Sequence, residues 1–206
     1  MINKNSFYTY LISFIVILIP TTGRFVYGLT IMTEMFLLLI SGTLMISLIN
    51  KLNLNEIKSV LILITLFSVT ILYRQLIVIT YAEIALTLGF IFYLPTLSVF
   101  LINNITQNND KNLKERLKIN LKKGGIAYFM GLIFFLIRDL AGYGTFTFFG
   151  QKHHIYEKVI LKSDQLGVFS FIATIPGALI LGGLLLIIHI KIDEKMKIIQ
   201  NVERQK

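Results

Sequence analysis

The stretch SFYTYLISFIVILIPTTGRFVYGLTIMTEMFLLLISGTLMISLI, residues 6–49, decides the fold. Its 44 residues are apolar almost throughout, interrupted by the cluster Pro20-Thr21-Thr22-Gly23-Arg24 and by Glu34. A helix needs about 20 apolar residues to cross about 30 Å of hydrocarbon, so this block holds two membrane spans. A second block of equal length, residues 60–103, carries Arg74, Gln75 and Glu83 as its strongly polar residues and Pro95 as a breaker. It too holds two spans, and single spans at 124–141 and 168–190 bring the expected number to six. The whole chain agrees: 55% of its 206 residues are hydrophobic, 15% are charged, and mean hydropathy is +0.73. A soluble domain carries about 25% charge, so the expected fold is an all-α, multi-pass membrane protein. Lys4 and the apolar run 11–19 have the look of a signal peptide, but no A-x-A site follows and the hydrophobicity continues. They are read as the first span.

The net charge of +9 comes from 20 Lys and Arg against 11 Asp and Glu. Fourteen of the basic residues fall on one side of the six-span arrangement: Lys4, Lys51, Lys58, the six in 111–123, and Lys191, Lys195, Lys197, Arg204 and Lys206. The other side holds Lys152, Lys158 and Lys162, plus Arg24 where it reaches the surface. Positive charge stays inside, so both termini are expected in the cytoplasm and the chain in the cell (inner) membrane. This asymmetry assigns the charge to anionic lipid head groups rather than to nucleic acid. The expected organisation is one polytopic domain, 1–206, with three-helix halves at 6–82 and 83–191. A basic cytoplasmic linker (104–123) joins them and a cytoplasmic tail (192–206) follows.

Two soluble segments are amphipathic. Leu113, Leu117 and Leu121 recur among basic residues, which suits either a short helix on the cytoplasmic leaflet or a solvated loop. Ile192, Met196, Ile199 and Val202 line one face of a helix continuing from the last span. LIPTTGRF (18–25) and YLPTLSVF (93–100) form a faint repeat, each placing Pro-Thr before Phe. In three-helix halves such a repeat is inverted, with broken first and fourth helices at Pro20, Gly23 and Pro95, the usual pointer to a midplane site.

A charge at the centre of a span costs about 2.5–3.5 kcal/mol on insertion scales, so each needs a partner or a polar path. The candidates for an ion path or intramembrane polar network are Glu34, Arg24, Arg74, Glu83, Arg138 and Asp139. Arg24 sits at the Gly23 break, where a half-helix end exposes backbone groups that bind ions. Glu34 lies about one turn inside the second span, its role divided between an ion or electron path and a structural ion pair. Arg74 is expected to pair with Glu83 or with an acid on a partner. Arg138 and Asp139, near the outer end of span five, are expected to snorkel to the head groups. His153 and His154 are surface residues, because adjacent loop histidines lack further metal ligands. Ala127 and Gly131, and Ala178 and Gly182, are spaced for close helix packing. The sequence has no P-loop, no G-x-G-x-x-G and no cysteine, so no catalytic residue is assigned.

The stretch GGIAYFMGLIFFLIRDLAGYGTFTFFG (124–150) resembles the membrane subunits of the Rnf and Nqr redox-driven ion pumps. In those, a Gly-rich apolar helix ends in Arg-Glu, followed by Leu-Gly-x-Gly and Leu-Phe-Gly. Arg138-Asp139, Gly142, Gly144, Phe149 and Gly150 stand at those places. LGFIFYLPTLS (88–98) and IPGALILGGLLLIIHI (175–190) are similar to two further family segments. The RnfE/NqrD branch fits best, having the Gly-x-Gly ending. The resemblance implies six helices, cytoplasmic termini and an oppositely oriented homologous partner subunit. It also implies a [2Fe-2S] cluster held by a cysteine in each broken helix, and those positions are Gly23 and Val99. Neither ligates iron, so no metal or cofactor ligand is expected in this chain. The leading expectation is a subunit of an ion-translocating electron transport complex, a translocase in which this chain serves as scaffold and ion path. The alternatives are an inverted-repeat transporter without redox chemistry and a structural membrane partner.

Overall fold

The computed structural model describes residues 17–105, 113–151, 153–161 and 167–204. Most of the first expected span, residues 6–16, lies outside the described residues, as do 106–112 of the linker. The chain is mostly helical: α1 (Phe25–Leu52), α2 (Lys58–Thr80), α3 (Ala82–Leu88), α4 (Leu94–Ile105), α5 (Leu113–Ile137) and α6 (Ile175–Arg204). Four segments are long and apolar enough to cross a membrane: Phe25–Leu52, Lys58–Thr80, Ala82–Ile102 and Leu113–Tyr143. The apolar part of α6, Ile175–Ile188, is shorter. Large apolar side chains point outward, among them Leu72, Ile79, Leu86, Phe90 and Phe129. Faces of that kind fit lipid, where burying them inside the protein gains nothing.

Helix α1 is 28 residues long, about 42 Å at 1.5 Å per residue, and forms the centre of the bundle. It ends where Asn53 turns left-handed (φ 56°) and its N–H closes back on Ile49. Across α1 and α5, Gly28 meets Phe135, Met32 meets Gly131 and Leu39 meets Gly124, while Asn120 donates to the Thr43 hydroxyl at 2.9 Å. The pairs climb one helix as they descend the other, so the two are antiparallel. A Cβ added at Gly28 would lie 2.0 Å from Phe135 Cγ, so the glycine is what lets the ring in. Ala127 and Gly131, and Ala178 and Gly182, are buried as their spacing predicts.

Helix α2 returns antiparallel to α1, joined to it hydroxyl-to-backbone where Tyr73 donates to the Thr30 carbonyl at 3.0 Å. After a tight turn at Tyr81 the third apolar segment runs as α3, a 3-10 stretch (Gly89–Tyr93) and α4. The segment expected as the fourth span is thus broken, but not at Pro95. The break starts at Gly89, whose φ of 45° disfavours other residues. Pro95 sits in the first turn of α4, where its missing N–H costs nothing. Pro20 lies instead in a turn five residues ahead of α1, after a helical end at 17–18. The two Pro-Thr sites therefore take different local places, and six spans and an inverted repeat go beyond what the described residues show.

Two further expectations are corrected. The basic stretch 113–123 is neither a separate leaflet helix nor a loop; it is the beginning of α5. Leu117 and Leu121 pack it beside Leu39, Ile40 and Thr43 in the second half of α1. The chain is also not all-α, since an antiparallel hairpin of β1 (Thr145–Phe149) and β2 (Ile155–Val159) caps one end of the bundle. α6 does continue past residue 190, as the tail predicted; the side chains of Ile192, Met196, Ile199 and Val202 lie outside the described residues.

Candidate functional site

The residues with the most polar work to do meet at the break before α1. Arg138 and Asp139 begin a π-helical turn, Arg138–Tyr143, that ends α5. They do not snorkel: Arg138 is 1% exposed and Asp139 0%. The Arg138 guanidinium donates to the carbonyls of Leu18 (3.2 Å), Thr21 (2.8 Å) and Ala173 (2.9 Å). Leu18 and Thr21 carry the free carbonyls left where the chain stops being helical, the end of a helix that attracts cations. Asp139 does the converse for α1. Its carboxylate accepts from the Phe25 N–H at 3.1 Å, at the positive end of that helix. It also accepts from the Thr145 hydroxyl (2.8 Å), the Thr147 N–H (2.8 Å) and the Thr147 hydroxyl (2.7 Å). Adjacent side chains of opposite sign thus satisfy the two ends of the break, one each.

The hairpin exists to deliver those threonines. In β1 the Thr residues face inward and are buried, while Phe146 and Phe148 face outward. The Phe rings stack on Phe25 at 5.5 and 6.4 Å between centroids. Val26 N–H donates to the Thr147 hydroxyl at 3.3 Å, tying β1 to the first turn of α1 a second time. Gly144 closes the π turn with φ 68°, and Gly142 lies where a Cβ would be 2.7 Å from the Ala173 nitrogen. The Gly-x-Gly pair therefore has two separate causes, a left-handed backbone and a close approach.

Arg24 is the N-cap residue of α1 and pairs with Glu157 of β2 at 2.7 Å, its guanidinium over the Tyr143 ring. The helix end is filled by Asp139, so the ion expected there is the protein's own carboxylate. Arg74 forms no ion pair with Glu83 among the described residues. Its Nε is buried without a hydrogen-bond partner, and Glu83 is exposed in the first turn of α3, a favourable place for a carboxylate. His153 contacts the Thr80 carbonyl at the exposed turn of the hairpin. No group of three or more His, Cys, Asp and Glu side chains suited to a metal occurs among the described residues. A Cβ at buried Gly23 would stand 3.1 Å from Arg138 Nε, and Val99 is buried hydrocarbon, so neither supplies a donor atom for iron.

Glu34 forms a second centre. It is the tenth residue of α1, about 13 Å from the helix start, and so lies more than two turns deep rather than one. Glu34 is 0% exposed and neither carboxylate oxygen has a hydrogen-bond partner. Thr70 and Tyr73 of α2 stand against it, and Tyr128 of α5 stands near Tyr73. Thr70 in turn bonds Thr96 of α4 at 2.6 Å. Sequence reasoning missed Thr70, Tyr73 and the threonines of β1. Thr96 was signalled by the Pro-Thr repeat.

No protein-family model, curated protein or solved structure matches the chain.

Proposed function

We propose that the chain is an integral membrane subunit of an ion-translocating electron transport complex of the Rnf/Nqr type, serving as scaffold and ion path. The observation that carries this reading is the clamp at the break: the segment resembling the family, 138–150, is the one whose side chains hold the backbone at 18–25. A polar centre at Glu34, in the same bundle, supports the ion path. Partners under this reading are lipid, an oppositely oriented homologous membrane subunit and the redox subunits. The basic end of the bundle, with Lys51, Lys58, Lys114, Arg116, Lys118, Lys122 and Lys123, faces the cytoplasm of the cell membrane. The chain contributes no iron–sulfur ligand, since Gly23 and Val99 replace the family's cysteines.

That replacement favours a second reading, a transporter acting without redox chemistry. Affinity purification of the tagged full chain from its native membrane separates the two. Co-purification of flavin- or iron–sulfur-bearing subunits with a second membrane chain is the expected result. Recovery of the chain with lipid alone would contradict the complex and favour the transporter.

A further inference from the structure

Hydroxyl side chains inside apolar helices usually bond the carbonyl four residues earlier in their own helix. Thr30, Thr33, Ser41, Thr43, Thr65, Ser68, Thr80 and Thr87 all do so. Thr70 and Thr96 instead face each other across α2 and α4, both fully buried. Two hydroxyls bonded together need one proton between them, so the second proton and the spare lone pairs remain to serve a third group. Glu34 of α1 stands beside Thr70, one turn beyond the Thr30 carbonyl that Tyr73 holds, and reaches Thr96 through the Thr70 hydroxyl.

Among the described residues no ion pair and no hydrogen bond within 3.5 Å reaches the buried Glu34 oxygens, and the Thr70 hydroxyl is the polar group set against them. A buried carboxylate without compensation costs several kcal/mol even after the surroundings relax. The groups facing it are Thr70 and Tyr73 from α2, Thr96 from α4 through Thr70, and Tyr128 from α5 through Tyr73, none of them cationic, and Arg74, one turn beyond Thr70 on α2, forms no ion pair with it. The compensating charge must then be mobile. One positive charge suffices, whereas a divalent ion would leave an excess charge in the same low-dielectric space. Carboxylate, hydroxyl and carbonyl oxygens are hard ligands, unsuited to soft metals. We propose that Glu34, Thr70 and Thr96 form an intramembrane site for one monovalent cation, a sodium ion or a proton. This rests on the ion-path reading above and names what the path carries.

The test is dicyclohexylcarbodiimide labelling of the full chain in nanodiscs, followed by peptide mass spectrometry. The reagent adds to a protonated carboxyl in apolar surroundings and rearranges to a stable N-acylurea, with nothing leaving. Labelling of the Glu34 peptide, absent in Glu34→Gln, is expected. If the cation is sodium, labelling slows about tenfold at sodium about ten times its dissociation constant, relative to choline at equal ionic strength. Thr70→Val with Thr96→Val then removes that protection while the label remains. If the cation is a proton, sodium has no effect and labelling falls as pH rises. No label at Glu34, or a label indifferent to both sodium and pH, overturns the site. Failure here with redox subunits still co-purifying would leave the scaffold reading standing. A sodium- or pH-dependent label on a chain that purifies alone would leave the site and remove the complex.

Discussion

Asp139 accepts hydrogen bonds from Phe25, Thr145 and Thr147 through both of its oxygens, in a place closed off from the protein surface. Removing it strands buried donors, each at a cost of about 1–3 kcal/mol. Asp139→Ala is therefore expected to lower the thermal unfolding midpoint in detergent more than Asp139→Asn, which keeps one acceptor oxygen. Equal effects from the two variants would show that the clamp is not what holds the break. Single charges in apolar surroundings made Glu34, Arg138 and Asp139 legible in the sequence. Their partners were not, for two reasons. A backbone carbonyl or N–H leaves no mark in a sequence, and a threonine in an apolar helix looks self-satisfied whether or not it is. Snorkelling for Arg138 was wrong because the free helix ends nearby offered better partners than the head groups.

At the scale of elements, α1 and α5 set the bundle, and their close approach depends on glycine. Gly28→Ala puts a methyl group into the Phe135 ring and should destabilise by about 1–3 kcal/mol, as overpacking does. Phe135→Ala in the same chain should return part of that loss, read by thermal unfolding of the single and double variants. A double variant no better than the sum of the singles would mean the two residues do not share a contact. Helices were readable from apolar runs of membrane length, and the small-residue spacing at Ala127 and Gly131 told correctly where they pack. The hairpin was not readable. Thr-Phe-Thr-Phe alternates, but its inward side is polar, because it faces a buried carboxylate, and its Phe side stacks on Phe25. The break in the fourth helix was anticipated from Pro95, yet Gly89 makes it, since a positive φ interrupts a helix that a first-turn proline does not.

The whole molecule is a bundle with apolar outer faces and unequal ends. At one end Lys51 and Lys58 flank the turn between α1 and α2, beside the basic start of α5; at the other stand the hairpin, the Arg24–Glu157 pair and the clamped break. Glu34 lies between the ends, so any ion path depends on the bundle spanning the bilayer with these ends on opposite sides. Cysteine-accessibility labelling measures that directly, because the chain has no native cysteine. Tyr156→Cys on β2 and Lys114→Cys at the start of α5 are both exposed positions. With a membrane-impermeant maleimide on intact cells, position 156 should label at once and position 114 only after permeabilisation. Labelling of position 114 in intact cells, or of both positions from one side, would contradict the account.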